Sequence, residues 1–209
     1  NIMKLYYRPG ACSMAVHLLL EDLGVDYEAI AVSDEVLASD EYKKTNPRNQ
    51  VPSLATEDGL LTESVAIMLY LSDQFGGNLT PPRGTWEHGQ MMMMLMFMAS
   101  QEHPAFAINM RPFRWTDEES AHAGIKAKAE QNWLACLTRT NGWAEGREWL
   151  VGDKMTLADC LAWVHARWGL RCTPKTPDGF PALWALANRV DALPAAQRVM
   201  AQEGIKPLA

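Results

Sequence analysis

The sequence predicts a small α/β domain followed by an all-helical domain. Three observations support this fold class: strand and helix patterns alternate over residues 3–77, a proline-rich stretch "NLTPPRG" follows, and only helical patterns come after it. We therefore expect an α/β domain over residues 3–77, a linker over 78–85 and a helical domain over 86–209.

The first domain has the predicted element order βαβαββα. Short apolar runs predict strands, and helical spacing of apolar residues predicts helices. The strands are expected over 3–7, 27–32, 53–55 and 60–61, and the helices over 13–23 and 64–75, with a short helix in the polar stretch 33–45. Gly24 and the glycine pair at 76–77 stand where the two longer helices should end, because glycine adopts the left-handed conformation easily.

The second domain contains only helical patterns. The first predicted helix runs from Trp86 to about Met110 and is bent or ended near Pro104. Capping boxes are predicted at "TDEE" (116–119) and "TLAD" (156–159), because a hydroxyl and a carboxylate three residues apart can satisfy free backbone N–H groups. The remaining helices are expected over 157–170, 180–193 and 195–203.

Composition excludes several classes of partner. The 209 residues carry a net charge of −6 without a Lys or Arg run, so a nucleic-acid partner is not expected. The longest apolar run, "MMMMLMFMA", has nine residues and is too short to span a membrane, and no signal-peptide pattern precedes it. Its methionines are expected in core and dimer packing, with copper(I) binding as the less favoured alternative. Four scattered cysteines predict neither zinc nor disulfides and fit a reducing cytoplasm.

The stretch "YYRPGACS" places Cys12 where a strand gives way to a helix. Free N–H groups and the positive end of the helix dipole can lower the pKa of a thiol there and produce a reactive thiolate. The alternative is that Cys12 is an inert, buried apolar residue.

Four segments, "KLYYRPGACS", "NPRNQVPSL", "LTESVAIMLYLSD" and "MTLADCLAWVHARW", occur in an order and spacing that resemble the cytosolic glutathione transferases, most closely the bacterial beta class. The resemblance extends over residues 3–208 and implies a thioredoxin-like first domain and a homodimer. It implies conjugation of glutathione, as co-substrate, to small hydrophobic electrophiles, with no prosthetic group and no metal. Thiol–disulfide exchange through Cys12 is expected as a second activity, since no C-x-x-C partner thiol is present.

The resemblance also implies which residues face the glutathione sulfur. Cys12 is expected to contact it and to be able to form a mixed disulfide, with Ser13 as a supporting donor. Tyr7 is a rival hydroxyl, although packing at the end of its strand is the favoured interpretation. His103 is expected to hold a proton or to stabilise a thiolate. The remaining histidines are expected to be structural: His17, His88, His122 and His165.

Other positions are implied to hold the rest of the ligand. The peptide bond before Pro52 is expected to be cis, which leaves the Val51 N–H and C=O free to pair with an extended peptide. Glu63 and Ser64, at a predicted helix N-terminus, match the α-amino and α-carboxylate groups of the γ-glutamyl unit.

The electrophile is expected in an apolar pocket between the two domains. Phe106, Phe113 and Trp168 lie on the expected helices and are candidates to line that pocket. Aromatic residues at helical spacing also occur in ordinary cores, which is the alternative for all three.

Three departures from the family pattern predict a weak glutathione site. The loop "SDEVLASDE" is acidic where relatives carry a lysine for the glycine carboxylate, and Lys44 or Arg48 would have to substitute. Met96 and Gln101 stand where relatives offer Asn and Glu to the partner subunit, and Pro104 replaces a basic residue. These losses keep two alternatives open: a non-catalytic ligand-binding or regulatory protein, and a specialised dehalogenase or isomerase.

Overall fold

A four-stranded mixed sheet forms the centre of the first structural unit. The computed structural model describes residues 2–209, with β1 (Met3–Tyr7), β2 (Tyr27–Ala31), β3 (Ser53–Thr56) and β4 (Gly59–Thr62) in the spatial order β2-β1-β3-β4. Strand β1 is parallel to β2 and antiparallel to β3, which is antiparallel to β4. Leu5 and Leu54 are paired across β1 and β3 and are fully buried, so the register of this pair fixes the core face.

Helices α1 (Ser13–Leu23) and α4 (Ser64–Phe75) of this unit pack against each other and have the bounds that the sequence predicts. Gly24 ends α1 with φ 65°, and its N–H donates to the Leu20 carbonyl. The polar stretch contains two short helices instead of one, α2 (Asp34–Ala38) and α3 (Asp40–Thr45). Two serines explain this difference, because Ser33 and Ser39 each accept a backbone N–H at a separate helix start.

The second unit is helical, as predicted, and its chain continues into helices that return to the first unit. Helix α5 (Trp86–Phe97) leads through a π-helical turn (Met98–Glu102) into α6 (His103–Met110), the site of the predicted bend. Because Pro104 has no N–H, the helical ladder loses a bond there, and the His103 N–H reaches back five residues to the Met98 carbonyl. The later helices are α7 (Glu119–Ala144), α8 (Leu157–Trp168), α9 (Thr176–Gly179), α10 (Pro181–Asp191) and α11 (Pro194–Glu203).

The two predicted capping boxes have opposite outcomes. The box at the start of α8 is confirmed: Thr156 accepts the Ala158 N–H, and the Asp159 carboxylate accepts the Thr156 N–H at 2.8 Å. The box before α7 is wrong, because the Thr116 hydroxyl accepts the Glu118 N–H in a turn and α7 begins only at Glu119. A local hydroxyl turn has replaced the predicted cap.

The fully buried Asp159 carboxylate supports both ends of a loop. It accepts the Leu150 N–H at 3.0 Å as well as the Thr156 N–H. In Asp159→Asn one acceptor oxygen becomes an amide group facing an N–H donor, so we expect the free energy of unfolding to fall by about 2 kcal/mol in urea denaturation. Asp153→Asn, at an exposed position of the same loop, should leave stability nearly unchanged.

The same variant also tests a pH dependence. Burial raises the pKa of Asp159 to about 6, against 3.8 for a free aspartate. Because the folded chain then binds this proton more tightly than the unfolded chain, the contribution of Asp159 to the free energy of unfolding rises as the pH falls from 6 toward 4. The stability difference between wild type and Asp159→Asn should therefore widen over that interval, and a constant difference would contradict the assignment.

Residues 188–209 belong to the first unit. The first unit consists of the chain up to Thr80 together with residues 188–209, and the second unit consists of residues 81–187. The sequence analysis instead assigned 86–209 to one helical domain. The reason is that α11 packs along α1. The buried residues of α11 form one stripe: Ala195, Ala196, Val199, Met200 and Glu203.

The methionine run has the predicted core role in part. Met91 and Met94 are buried in the second unit, whereas Met93 is exposed on α5. Among residues 2–209, no helix is both long and apolar enough to cross a membrane.

Candidate active site around Cys12

Three segments of the first unit meet at the Cys12 sulfur. Cys12 is the residue before α1 and is 9% exposed. Its thiol donates to the Val51 carbonyl with an Sγ–O distance of 3.6 Å, and the Ser64 hydroxyl hydrogen-bonds to the same sulfur. The turn after β1, the loop before β3 and the start of α4 therefore converge on one thiol.

The loop before β3 presents backbone groups beside this thiol. The Val51–Pro52 peptide bond is cis, which confirms the expectation from the resemblance. Within residues 2–209 the Val51 N–H makes no hydrogen bond, so this donor is open to a ligand. The Val51 carbonyl differs from the expectation, because it already accepts the Cys12 thiol. A peptide that pairs with this carbonyl would compete with the thiol for it.

Glu63 is held in an unusual conformation immediately before α4. Its φ is 69° and its ψ 113°, in the left-handed half of backbone space that residues with a Cβ rarely adopt. Such a conformation costs on the order of 1–3 kcal/mol and persists only where the surroundings impose it. The Glu63 carbonyl accepts the Ile67 N–H at 3.0 Å, and its side chain is exposed next to Ser64. An exposed carboxylate and a hydroxyl thus stand together at the positive end of α4.

The pKa of Cys12 is raised, which corrects the lowered value that its helix position suggested. Burial is the largest cause, and the negative charge of Glu63 adds to it. The Ser64 hydroxyl and the backbone N–H groups of Cys12 and Ser13 lower the pKa but do not offset burial. Cys12 is therefore a protonated hydrogen-bond donor at neutral pH.

Ser13 and Tyr7 are engaged by groups of the first unit. The Ser13 hydroxyl is fully buried, donates to the Arg8 carbonyl at 3.3 Å and accepts the Arg8 N–H at 3.3 Å, so it fastens the turn that carries Cys12. The Tyr7 hydroxyl donates to the Gln202 carbonyl at 3.4 Å, and burial raises its pKa. Tyr7 packs at the end of β1, as favoured from the sequence.

A buried carboxylate from α11 anchors the same turn. Glu203 accepts the Gly10 N–H at 3.0 Å with one oxygen and contacts His17 Nδ1 at 2.7 Å with the other. His17 Nε2 lies 2.8 Å from the Gln202 side-chain oxygen. The Gln202 amide nitrogen in turn donates to Glu21, which fixes the orientation of that amide. His17 therefore has the structural role that the sequence analysis gave it, and it fastens α1 to the chain end that steadies Cys12.

The acidic loop is partly neutralised. Arg8 Nη2 lies 2.8 Å from an Asp34 carboxylate oxygen, while Glu35 is exposed. Lys44 and Arg48, the expected substitutes for a ligand-binding lysine, are both exposed. Arg8 is thus the cation that meets the acidic loop, and the sequence analysis had not considered it.

The second unit holds His103 in an aromatic cluster. The rings of His103 and Trp168 meet edge to face with centroids 4.8 Å apart, and Phe106 stacks on Trp168 at 4.8 Å. Burial, the charge of His165 and that of Arg111 lower the pKa of His103 to about 4, so the imidazole is neutral at pH 7. Phe113 lies outside this cluster and is 59% exposed.

The sequence analysis missed two buried acids, Glu203 of the first unit and Glu102 of the second. Glu102 accepts from His165 Nδ1 at 2.6 Å and from the Thr140 hydroxyl at 2.6 Å. A signal existed for Glu203, which falls in line with the apolar residues of α11 at helical spacing, and for His165, which interrupts an otherwise apolar face of α8. No comparable signal identifies Glu102, because its neighbours in the chain are polar. Across residues 2–209, no cluster of three or more His, Cys, Asp or Glu side chains could hold a metal ion.

A buried thiol on a thioredoxin-like sheet, beside an open backbone N–H and a helix N-terminus carrying Glu63 and Ser64, is the arrangement of a thiol-binding enzyme. Two family models match most of the chain: one for the glutathione S-transferase N-terminal domain matches residues 2–73, and one for the C-terminal domain matches residues 91–194. The chain belongs to the glutathione S-transferase family, and the transferase activity predicted from the sequence is confirmed at the level of that family.

Individual relatives are similar to this chain over their full length. Glutathione S-transferase GstA of Escherichia coli O157:H7 is 31% identical, with 98% of this chain and 100% of GstA covered. A sphingomonad glutathione S-transferase solved in complex with glutathione is 31% identical with a TM-score of 0.84, over 97% of this chain and 100% of that chain. A bacterial beta class enzyme from Sphingomonas chungbukensis is 28% identical with a TM-score of 0.84, over 97% and 100% of the two chains.

Proposed function

We propose that the protein binds reduced glutathione along Cys12, Val51, Pro52, Glu63 and Ser64 and conjugates it to electrophilic small molecules. The observation that carries this proposal is the convergence of Val51 and Ser64 on the Cys12 sulfur. The open Val51 N–H is suited to an extended peptide, and the Glu63–Ser64 helix start suits an α-amino and an α-carboxylate group.

In conjugation, Cys12 acts as a hydrogen-bond donor. Its raised pKa keeps the thiol protonated at neutral pH, so its S–H can donate to the thiolate of bound glutathione. The glutathione thiol must lose its proton to a base, and the resemblance to the family offers His103, whose imidazole is neutral at pH 7, for that role. The thiolate then forms a C–S bond to the electrophile, and the leaving group departs with the electron pair of its bond to carbon. Ser13 supports the reaction indirectly by fastening the turn through Arg8.

Disulfide exchange through Cys12 is a second activity. Here the Cys12 thiolate attacks one sulfur of oxidised glutathione, the S–S bond breaks, and one glutathione thiolate leaves. Because burial and Glu63 raise the pKa of Cys12, the thiolate fraction and hence this reaction increase with pH through the alkaline range.

The proposal also covers the class of transferase, its substrates and its place in the cell. We assign the chain to the beta class because a cysteine stands at the sulfur position, and we assign small hydrophobic electrophiles as substrates. Phe106 and Trp168 are proposed to contact the electrophile, and the exposed Phe113 is a third candidate for this contact. Four free cysteines fit a reducing compartment, so a cytoplasmic role in detoxification is proposed.

We also propose a homodimer. Helix α5 exposes large apolar side chains along one side: Trp86 at 77%, Met93 at 46% and Met96 at 44%. Such residues are common at interfaces between protein chains. Light scattering should give twice the chain mass, and a monomer would remove the dimer from the proposal.

The glutathione site can be tested with two neighbouring variants. Glu63→Gln and Ser64→Ala should each weaken glutathione binding by about tenfold in calorimetry, because each removes a charge or hydrogen bond to the ligand. Their effects on the pKa of Cys12 should be opposite, since Glu63 raises it and Ser64 lowers it. At pH 8, iodoacetamide should therefore alkylate Cys12 about threefold faster in Glu63→Gln and more slowly in Ser64→Ala.

The matched control for both variants is Glu57→Gln, in the β3–β4 turn. It should change neither affinity nor alkylation. Wild type should bind glutathione with a dissociation constant above 1 μM, because the acidic loop has no lysine to bind the glycine carboxylate. Unchanged affinity in both site variants would contradict the proposed binding mode.

A further inference from the structure

Four segments of the first unit lie along one edge of its sheet. Tyr7 and Ala31, which end the parallel strands β1 and β2, are paired with each other. Ser53, which begins β3 beside the end of β1, is paired with Thr62, which ends β4. The adjoining segments therefore follow one another along this edge in the strand order: the acidic loop (33–41), the turn with Arg8 and Cys12, the loop with Val51 and Pro52, and the helix start with Glu63 and Ser64.

This order gives a direction to a bound peptide. In the proposed glutathione site, the γ-glutamyl end lies at Glu63 and Ser64 beside β4, and the thiol lies at Cys12 beside β1. The glycine residue extends about 3.5 Å beyond the cysteinyl residue, which is less than the spacing of about 4.8 Å between neighbouring strands. A peptide that continues in the same direction therefore ends with its glycine carboxylate on the β1–β2 side of the edge, where the acidic loop begins.

Arg8 provides a positive charge at this place. Its backbone is fixed, because the Ser13 hydroxyl bonds to both the N–H and the carbonyl of Arg8. The side chain of Arg8 is 32% exposed, and its Nη2 lies 2.8 Å from Asp34 Oδ1. Within residues 2–209 the guanidinium makes no other polar contact. Since a guanidinium has five N–H donors in a plane that fits a carboxylate, most of these donors are open to a ligand.

Asp34 is a weak partner for this guanidinium. The Asp34 side chain is 89% exposed, and among residues 2–209 its carboxylate contacts only Arg8. An ion pair this exposed contributes little, because water solvates both of its charges. A ligand carboxylate can therefore take the place of Asp34, which then turns into solvent without losing a buried contact.

We propose that Arg8 binds the glycine carboxylate of glutathione and that this carboxylate displaces Asp34 from the guanidinium. The inference rests on the proposed glutathione site and identifies the residue that selects a peptide thiol with a free C-terminal carboxylate. Asp34 is then an internal competitor, and its release lowers the affinity that Arg8 would otherwise give.

Other positive charges of the first unit are less suited to this role. Lys43 pairs with Asp40 on α3, with 3.4 Å between Nζ and Oδ1. Lys44 and Arg48 are exposed and lie outside the turn that carries the thiol. Arg8 belongs to that turn, so its position relative to the thiol is fixed by the same hydrogen bonds.

The test compares glutathione with its glycine ethyl ester, which lacks the negative charge at the glycine end. In calorimetry, wild type should bind glutathione about threefold more tightly than the ester, because a charge-assisted bond to Arg8 replaces the exposed pair with Asp34. Arg8→Gln should abolish this preference by weakening glutathione binding about threefold while the ester is unaffected. Asp34→Asn should widen the preference to about tenfold, because the competing carboxylate is gone.

A double variant separates displacement from a general effect of charge. If Asp34 acts through Arg8, Asp34→Asn should not restore the preference when it is combined with Arg8→Gln. Asp40→Asn is the matched control, since it removes one negative charge from the same loop together with an exposed ion pair to Lys43. It should leave the preference near threefold. Circular dichroism should show that every variant is folded, because the Ser13 bonds to the Arg8 backbone remain.

Three results would overturn the inference and leave the glutathione site intact. An unchanged preference in Arg8→Gln would mean that Arg8 does not bind the carboxylate, and its loss in Lys44→Gln or Arg48→Gln instead would assign the carboxylate to that residue. An equal gain in Asp34→Asn with and without Arg8→Gln would mean that no displacement takes place. Failure of wild type to bind either peptide would instead remove the proposed glutathione site itself.

Discussion

Cys12→Ala is expected to abolish the covalent adduct with oxidised glutathione. Intact mass spectrometry of reduced wild type should show one glutathione added, and the variant should show none. Formation of the adduct should accelerate by about tenfold per pH unit between pH 7 and 8.5, because burial and Glu63 raise the pKa of the reacting thiol. Conjugation should fall by about tenfold, the effect of losing one hydrogen bond to a thiolate.

Cys136→Ala is the control for this prediction. Cys136 is half-buried and burial raises its pKa to about 11, so its removal should leave the single adduct intact. An adduct that persists in Cys12→Ala would assign the reactive thiol elsewhere. No adduct in wild type, at a pH where free thiols react, would make Cys12 a packing residue.

Glu203→Leu is expected to have the largest effect on stability. The substitution removes the carboxylate that accepts the Gly10 N–H and leaves the buried His17 Nδ1 without the Glu203 oxygen. Breaking a buried pair of this kind costs about 3–5 kcal/mol of the free energy of unfolding. Urea denaturation should show this loss. Iodoacetamide should also react faster with Cys12, because the turn that buries the thiol loses its anchor.

Two further variants isolate the cause. Glu203→Gln should recover most of the stability, since the new amide can accept the Gly10 N–H with its oxygen and can hydrogen-bond to His17 Nδ1. Arg198→Ala removes an exposed ion pair between α11 and Glu21 and should cost about 1 kcal/mol or less. Equal losses in Arg198→Ala and Glu203→Leu would mean that docking of α11 as a whole, and not the buried pair, sets stability.

Local signals predicted most of the fold. The bounds of α1 and α4 follow from apolar spacing and from Gly24 and Gly76, whose left-handed conformations end the helices. The helix cap at Asp159 was also predicted from the local sequence. The cap at Thr116 failed for a local reason too, because the same hydroxyl could bond to Glu118 in a turn.

The site was predictable only where its residues lie in recognisable segments. Cys12, Val51 and Ser64 belong to three such segments, and the structure brings them together. The pairs Glu102–His165 and His17–Glu203 join residues 63 and 186 positions apart, so no local pattern connects them. The direction of the Cys12 pKa shift depended on depth of burial, which a helix position alone does not specify.

The return of residues 188–209 to the first unit has a consequence for synthesis of the chain. On the ribosome, the β-strands of this unit and Cys12 are translated before any of 81–187. Glu203, which accepts the Gly10 N–H, is made near the end of the chain, so the nascent sheet can form before this anchor of the thiol-bearing turn is in place. Maturation of the thiol site is thus the last folding event of the unit that is translated first.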